Sequence, residues 1–270
     1  YMNYGSQDSS VTYRPSGCLP EGVGLFGGNP AGIGGIRAVY QTAGASLLER
    51  LKSGQYPIQP DQIESDNWGT VAHPAEIKGR VNLPEFTIVA DFVAGGGGYG
   101  DPLEREPDAL AKDVPRGIVS PRIAAEIYGV VLKQTSLASD SVATLKRRQE
   151  IREERMRESK TFSGATSGLS DAVRRSTDWQ QILKFHEYLA VATNGKSEAI
   201  LCIHCGHLFC EKHENYKLYA LCRERDLYDL AQSLVPSGES YLGGYLEYYC
   251  PGCATLLQVD SFCDAFPDSK

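Results

Sequence analysis

Long apolar runs are missing from this chain of 270 residues, and cysteine is almost missing from its first 200 positions, where only Cys18 occurs. No stretch approaches the roughly 18 apolar residues of a membrane-spanning helix, so we expect no membrane span. The N-terminus lacks a basic region followed by an apolar run, so we expect no secretory signal in it. Position 1 is Tyr rather than Met, and we expect a processed chain or a piece of a longer one.

An excess of basic residues is also missing, since 34 Asp and Glu outnumber 27 Lys and Arg. A nucleic-acid-binding protein must neutralise phosphates with Lys and Arg, so we expect no nucleic acid partner. Seven of the eight cysteines follow residue 200, which is not the even distribution of a small secreted, disulfide-linked protein. Their clustering predicts metal binding in a reducing compartment, and we expect a cytoplasmic protein.

Two C-x-x-C pairs are the strongest chemical signal, and the predicted metal ligands are Cys202, Cys205, Cys250 and Cys253. Two such pairs on tight turns can bring four thiolates to one point, which is the ligand set of a closed tetrahedral zinc site. Gly206 follows the first pair and Gly252 lies inside the second, where glycine permits a tight turn. Strand-forming residues precede both pairs, which predicts a zinc ribbon. Two dithiols or disulfides without metal are the alternative.

The ligand set stays open at one position, because Cys210 or a nearby histidine could replace one cysteine. Four thiolates leave no position for water or substrate, so the pattern favours a structural zinc over a catalytic one. His207 and His213 are expected to orient the first turn through hydrogen bonds. No catalytic residues and no nucleotide-binding residues are predicted.

Glycine-rich segments mark the N-terminal half, at Gly24–Gly35 and Gly95–Gly98. This density of glycine excludes helices and predicts loops between short strands such as Ile36–Tyr40 and Phe86–Ala94. A phosphate-binding role for the first segment is disfavoured, because it lacks the lysine of G-x-x-x-x-G-K-[ST].

Helices are predicted after the second glycine-rich segment. One covers Pro107–Val114, and the next begins at the N-cap residue Ser120 and ends before Gly129. The stretch Ser139–Lys160 is dense in Arg, Lys and Glu, which predicts a solvated helix or one lying along a partner. Apolar residues at helical spacing predict an amphipathic helix over Thr177–Thr193.

These patterns together predict an α+β chain with three parts. Residues 1–135 form a β-rich, glycine-rich module, and residues 136–176 form a charged, Gly/Ser-rich, partly helical linker. Residues 177–270 form a C-terminal zinc ribbon with flanking helices, the second of them over Arg223–Pro236.

Two strings in the first module resemble a known family: GLFGGNPAG (Gly24–Gly32) and VAGGGGYGDPLEREPDALAKDVPRGIVSPRIAAEIYGVVL (Val93–Leu132). They are similar to the C-terminal end of the hydantoinase B/oxoprolinase family, which includes the large subunits of ATP-dependent ketone carboxylases. The family's catalytic and metal-binding regions lie outside this end. The resemblance therefore implies a scaffold piece without a complete active site.

A second resemblance is carried by CIHCGHLFCEKHENYKLYALC (Cys202–Cys222) and LEYYCPGCATLLQVD (Leu246–Asp260). These strings resemble the gamma subunit of acetone carboxylase, a zinc-containing protein, and the small zinc-carrying subunit of acetophenone carboxylase. Both resemblances imply a structural zinc-binding subunit of a multi-subunit, ATP-dependent ketone carboxylase, a ligase that forms a C–C bond.

The implied partners are larger hydantoinase A-like and hydantoinase B-like subunits of a hetero-oligomer, which this chain bridges. The implied cofactors are zinc on this chain, and ATP and magnesium on the partners. Two alternatives stay open: a subunit of a hydantoinase or oxoprolinase that opens amide rings, and a stand-alone zinc-binding adaptor. The sequence also leaves open the ketone, the stoichiometry, and whether the chain is a native fusion or a processed piece.

Overall fold

The computed structural model describes residues 9–13, 22–31, 35–40, 45–55, 68, 70–72, 79–83, 88–92, 95–161, 169–176, 178–226 and 243–263. The chain forms two compact units. The first contains Tyr1–Gly22, Ala31–Gly96 and Leu227–Gly243, and the second contains Val23–Pro30, Gly97–Asp226 and Gly244–Lys270. Helices and strands occur together, which confirms the α+β class. Among the described residues, no helix has both the length and the apolar character needed to cross a membrane.

Short antiparallel sheets and one helix occur in the described part of the first unit. Strand β1 (Ser9–Tyr13) pairs with β4 (Gly79–Leu83), and β2 (Gly35–Tyr40) lies between β3 (Thr70–Ala72) and β5 (Ile88–Phe92). Both β2 and β5 lie where the sequence predicts strands. Helix α1 (Ala45–Lys52) places basic residues in its last turn, where they suit the negative end of the helix dipole.

Two glycine-rich loops meet in the second unit. Leu25 and Tyr99 form a parallel bridge, in which the Leu25 amide donates to the Gly98 carbonyl at 2.9 Å. A Cβ atom on Gly97 would lie 2.0 Å from the Val23 carbonyl oxygen. The consecutive glycines therefore permit a close approach of main chain, and the neighbour is the first glycine-rich loop.

A capped turn and two short helices follow the glycines. A 3-10 turn, Pro102–Glu104, is capped by the carboxylate of Asp101. Helices α2 (Pro107–Asp113) and α3 (Pro121–Glu126) lie where they are predicted, and the Ser120 hydroxyl caps α3. They contribute to a small core that consists of Leu110, Val114, Ala124 and Val130.

The charged segment forms an 18-residue helix, α4 (Ser141–Glu158). The predicted helix is confirmed, but it is not solvated on all sides, because it buries Thr144, Ile151 and Arg155 within its own chain. The predicted domain boundaries after residues 135 and 176 both fall inside the second unit. They stay predictions.

Two antiparallel sheets complete the second unit. The first has the order β10-β9-β8-β7, with β7 (Gln180–Lys184), β8 (Leu189–Thr193), β9 (Glu198–Cys202) and β10 (Leu208–Glu211). The second has the order β13-β12-β11-β6, with β6 (Lys160–Thr161), β11 (Leu221–Asp226), β12 (Gly243–Tyr249) and β13 (Leu256–Cys263). One core cluster joins both sheets and includes Leu189, Phe209, Leu246, Leu257 and Phe262.

The predictions of two helices flanking the ribbon are wrong for those of their residues that the structure describes, most of which form strands. Thr177–Thr193 contains the hairpin β7–β8 instead, because β8 pairs along its length with both β7 and β9. Arg223–Pro236 begins as the end of β11, and its residues after Asp226 lie outside the described residues.

Candidate metal centre

The sulfur atoms of the four predicted ligands lie within 4.8 Å of one another, and these residues are Cys202, Cys205, Cys250 and Cys253. The Sγ atoms of Cys202 and Cys253 are 3.8 Å apart, and those of Cys205 and Cys250 are 3.6 Å apart. A disulfide bond requires about 2.05 Å between sulfurs. A tetrahedral zinc ion with Zn–S distances of about 2.3 Å sets its sulfurs about 3.8 Å apart. The cluster could therefore hold a metal ion, and two disulfides do not fit it.

The two C-x-x-C turns share one hydrogen-bond pattern. In each turn, the amide of the residue after the second cysteine donates to the carbonyl of the first cysteine at 2.8 Å. The amide of the first cysteine donates to the carbonyl of the residue two positions after the second cysteine. This distance is 2.8 Å in the first turn and 2.9 Å in the second. These two positions are Gly206 and His207 in the first turn, and Ala254 and Thr255 in the second.

Glycine serves the two turns in different ways. The left-handed backbone lies after each pair, with a φ of 73° at Gly206 and 56° at Ala254. Gly252 is required for space instead, because a Cβ atom there would lie 2.8 Å from the Sγ atom of Cys205. The role predicted for Gly206 is confirmed, whereas the backbone role predicted for Gly252 belongs to Ala254.

Hydrogen bonds between the cluster sulfurs shift the pKa values of the thiols in opposite directions. Cys202 and Cys250 are buried, whereas Cys205 lies exposed at the rim. Hydrogen bonds with Cys202 and Cys253, together with burial, raise the pKa of Cys250. Hydrogen bonds from Cys202 and Cys250 hold the pKa of Cys253 below its ordinary value. A divalent metal ion would supply the positive charge that thiolate ligands require.

The alternative ligands lie outside the four-sulfur cluster. The Sγ atom of Cys210 is 3.9 Å from the Glu214 carbonyl oxygen, and burial raises the pKa of this thiol to about 12. The His213 side chain is 71% exposed, with Nε2 3.3 Å from the Glu211 carboxylate. His213 therefore does not orient the first turn, and that prediction is wrong.

A threonine hydroxyl contacts one of the cluster sulfurs. The Oγ1 atom of Thr255 lies 3.1 Å from the Sγ atom of Cys253 and 3.4 Å from Nδ1 of His204. His207 packs edge-on against Phe209, with 5.1 Å between ring centroids. Sequence patterns do not identify Thr255, whose only signal is its position two residues after the second pair.

A buried ion pair supports the second turn from outside. The Asp101 carboxylate accepts two hydrogen bonds from the Arg155 guanidinium, at 2.7 and 2.9 Å, and one from the Leu256 amide at 2.9 Å. Arg155 also donates to the Ala254 carbonyl at 3.0 Å. Burial alone would raise the pKa of Asp101, but the charge and hydrogen bonds of Arg155 hold it below its ordinary value. Sequence analysis gave neither residue a role at the site.

The cluster lies within a segment that matches a known family. Residues 176–270 match the family model of the acetone carboxylase gamma subunit. This part of the chain is similar to the acetone carboxylase gamma subunit, and we call it the gamma subunit domain, or gamma domain, after that family. All four cluster cysteines lie within it, so the segment with the metal-site geometry is also the segment with the gamma match.

A second comparison concerns the alpha subunit of acetone carboxylase. The chain is 31% identical over 170 residues to the acetone carboxylase alpha subunit of Xanthobacter autotrophicus (strain ATCC BAA-1158 / Py2). This match covers 58% of the chain but 22% of the relative, so the chain spans about a fifth of the relative's length. Because the gamma domain begins at residue 176, a match of this extent includes residues before the gamma domain.

A solved structure of acetone carboxylase is also similar. It is described as the nucleotide-free structure, in work on the mechanism of ATP-dependent acetone carboxylation. The two sequences are 29% identical where they match. The match covers 52% of this chain and 20% of the solved chain, with a TM-score of 0.42. The family model and the alpha subunit match confirm the resemblance to acetone carboxylase, whereas the relationship to hydantoinase B stays a prediction.

Proposed function

We propose that this chain is a zinc-binding, non-catalytic component of a multi-subunit, ATP-dependent ketone carboxylase of the acetone carboxylase type. The observation that carries this proposal is a four-sulfur cluster of suitable spacing inside the gamma subunit domain. The alpha-subunit match supports membership of a larger assembly, since it corresponds to 22% of that relative. A cytoplasmic location, where thiols stay reduced, belongs to the same proposal.

The metal has a structural role in this proposal. The four cluster cysteines hold it, and four sulfur ligands leave no position for water or substrate. Zinc is the ion that best suits four thiolates at tetrahedral spacing. When bound, it contributes folding free energy by joining the turn after β9 to the turn after β12.

ATP and magnesium are assigned to larger partner chains, for which hydantoinase A-like and hydantoinase B-like subunits are the candidates. The glycine-rich loops of this chain support that division of labour. A phosphate cradle requires main-chain amides that are free to meet the ligand. Here the amides of Leu25, Gly28 and Gly98 all donate to carbonyls of the same two loops.

An exposed apolar edge favours a subunit over a stand-alone adaptor. Strand β7 is the outermost strand of its sheet, and Ile182 and Leu183 on it are 53% and 60% exposed. Phe185, which follows the strand, is 42% exposed. An edge strand with apolar side chains is usually covered by another chain. We propose that this chain bridges its larger partners and that β7 lies in one of the contacts.

Purification of the tagged full chain from its native cells tests the proposal. We expect about one zinc ion per chain, two larger co-purifying chains, and carboxylation of a ketone with ATP and bicarbonate. Ring opening of hydantoin or oxoproline without carboxylation would favour the amide-ring hydrolase. Recovery of a zinc-bearing monomer would favour the adaptor, and a folded, metal-free chain would contradict the zinc site.

Two variants separate assembly from metal binding. The double change Ile182→Ser and Leu183→Ser is expected to keep the zinc ion and lose the partners, because β7 lies away from the cluster in its sheet. Cys250→Ser is expected to lose the zinc ion and the partners together. Full assembly of the metal-free Cys250→Ser chain would contradict a structural bridging role.

A further inference from the structure

The Asp101–Arg155 pair joins two parts of the chain that differ in sequence family. Asp101 follows the second glycine-rich loop and Arg155 lies on α4, so both precede the gamma subunit domain. Each side chain nevertheless makes a hydrogen bond to main chain inside that domain, and both bonds lie just after the second cysteine pair. Residues outside the gamma domain therefore contact its metal centre.

The two bonds hold the chain on both sides of Thr255. Arg155 fixes the carbonyl of Ala254, and Asp101 fixes the amide of Leu256. Between these two points, the Thr255 hydroxyl lies 3.1 Å from the Sγ atom of Cys253. The main chain that carries this hydroxyl is thus held in place by the ion pair.

Hydrogen bonds and burial fix the positions of the Asp101 and Arg155 side chains. The Asp101 carboxylate accepts bonds from the Leu103 amide and the Leu256 amide as well as two from Arg155, which fills its acceptor sites. The Asp101 side chain is 0% exposed and that of Arg155 is 6% exposed, so water does not substitute for either partner. Loss of one partner leaves the other charge buried and uncompensated.

We propose that Asp101 and Arg155 are positioning residues for the second cysteine pair, and that they keep residues 254–256 in the conformation that metal binding requires. The inference rests on the proposed zinc site. Because coupling between two sites is reciprocal, the metal ion also orders the 3-10 turn that follows Asp101. The segment before the gamma domain therefore supports the metal centre without contributing a ligand.

The unmodified full chain supplies the first test, by hydrogen exchange before and after zinc is removed with a chelator. Removal of zinc is expected to speed exchange at the amides of Leu103 and Leu256, with much less effect on Ile123 in α3. Ile123 is the control because its amide bonds to Ser120 and does not contact the ion pair. Unchanged exchange at Leu103 in a chain that has lost its zinc would overturn the inference.

Variants supply the second test, by the rate at which zinc passes to a chromogenic chelator. Asp101→Asn is expected to release zinc about 10- to 100-fold faster, the range for residues that support metal ligands. Glu104→Gln is the matched control, since Glu104 bonds Arg152 of the same helix at 2.9 Å but is half-exposed and does not contact the second turn. Wild-type release from Asp101→Asn would overturn the inference.

Arg155→Lys separates positioning from general stability. Lysine keeps the charge but cannot make the paired bonds of the guanidinium. We expect Arg155→Lys to release zinc faster than the wild type and more slowly than Arg155→Met. Equal release from all three proteins would overturn the inference. If the wild-type chain holds no zinc at all, the proposed function fails first, and elemental analysis of the wild-type chain distinguishes that failure from a failure of the inference.

Discussion

Gly206 and Ala254 occupy the same position in two turns of the same shape, one residue after each C-x-x-C pair. Both have left-handed backbone, although only one of them is glycine. A Cβ atom built on Gly206 meets nothing within 4 Å, and Ala254 carries its Cβ atom in the equivalent place. The turn therefore requires a backbone conformation at this position and not an absence of side chain.

Gly206→Ala is accordingly expected to be tolerated. The left-handed conformation disfavours alanine by about 1 kcal/mol, and we expect the free energy of unfolding to fall by about that amount. The zinc content is expected to stay unchanged. Denaturant unfolding of the full chain, together with elemental analysis, measures both quantities. Loss of the metal would show that the first turn differs from the second.

Gly252→Ala is expected to be far more damaging at the metal site. The new Cβ atom would lie 2.8 Å from the Sγ atom of Cys205 and 3.1 Å from the Cβ atom of His207. Relief of this contact moves a ligand, so we expect metal affinity to fall by at least about tenfold. A competition titration against a zinc chelator measures the change. Gly206→Ala is the control, and equal affinity in the two variants would contradict the assignment.

Cysteine substitutions test which sulfurs hold the metal. Cys250→Ser is expected to remove the zinc ion and to unfold the turns it joins, because metal binding supplies folding free energy. Cys210→Ala is the matched control, since Cys210 is also buried but lies outside the four-sulfur cluster. Elemental analysis and near-ultraviolet circular dichroism report the outcome. Metal loss from Cys210→Ala with retention in Cys250→Ser would refute the ligand set.

His186 gives the fold a pH dependence of known sign. Its Nε2 atom lies 2.9 Å from the Leu257 carbonyl oxygen and its Nδ1 atom accepts from the Tyr188 amide, which describes a neutral ring. Burial lowers the pKa of His186 to about 4, against about 6.5 in an unfolded chain. The unfolded state thus binds the proton more readily. The stabilisation is present above about pH 6.5 and is lost as pH falls towards 4.

His186→Gln removes this titration. Between pH 7 and pH 5 the wild type is expected to lose about 2 kcal/mol more unfolding free energy than the variant, from the two pKa values above. Denaturant unfolding of both proteins at each pH measures the difference. Both proteins keep the four-sulfur cluster, so acid loss of metal affects them equally. Parallel pH profiles would mean that His186 is accessible to protons in the folded state.

The four-cysteine cluster could be predicted from the sequence because the pattern that forms it is local. Each C-x-x-C pair specifies its own turn, and two such turns allow few other uses in a reducing compartment. The helix over Thr177–Thr193 could not be predicted correctly from the same kind of pattern. Ile182 occurs at helical spacing from Leu189, yet it is exposed on β7 while Leu189 is buried on β8. Pairing with β9, a later segment, decides the structure there.

Arg155 shows a second limit of local patterns. It is one of many basic residues on α4, and neighbours such as Lys146 and Arg157 are exposed. Its burial depends on Asp101, which lies 54 residues earlier, and on Ala254, which lies 99 residues later. No feature within the helix distinguishes it. The charged composition of this segment predicts a helix, but it does not indicate which charged residue is buried.

The spacing between Asp101 and Leu256, 155 residues, matters while the protein is being made. A ribosome that adds about 5–20 residues per second needs on the order of 10 s to pass from Arg155 to the second cysteine pair. During that interval the nascent chain carries an uncovered ion pair and, towards its end, two thiols without their counterparts. Translation that stops before Cys250 leaves a product that lacks the second cysteine pair and the main chain that Asp101 and Arg155 bond. Quality-control proteases are expected to remove this product.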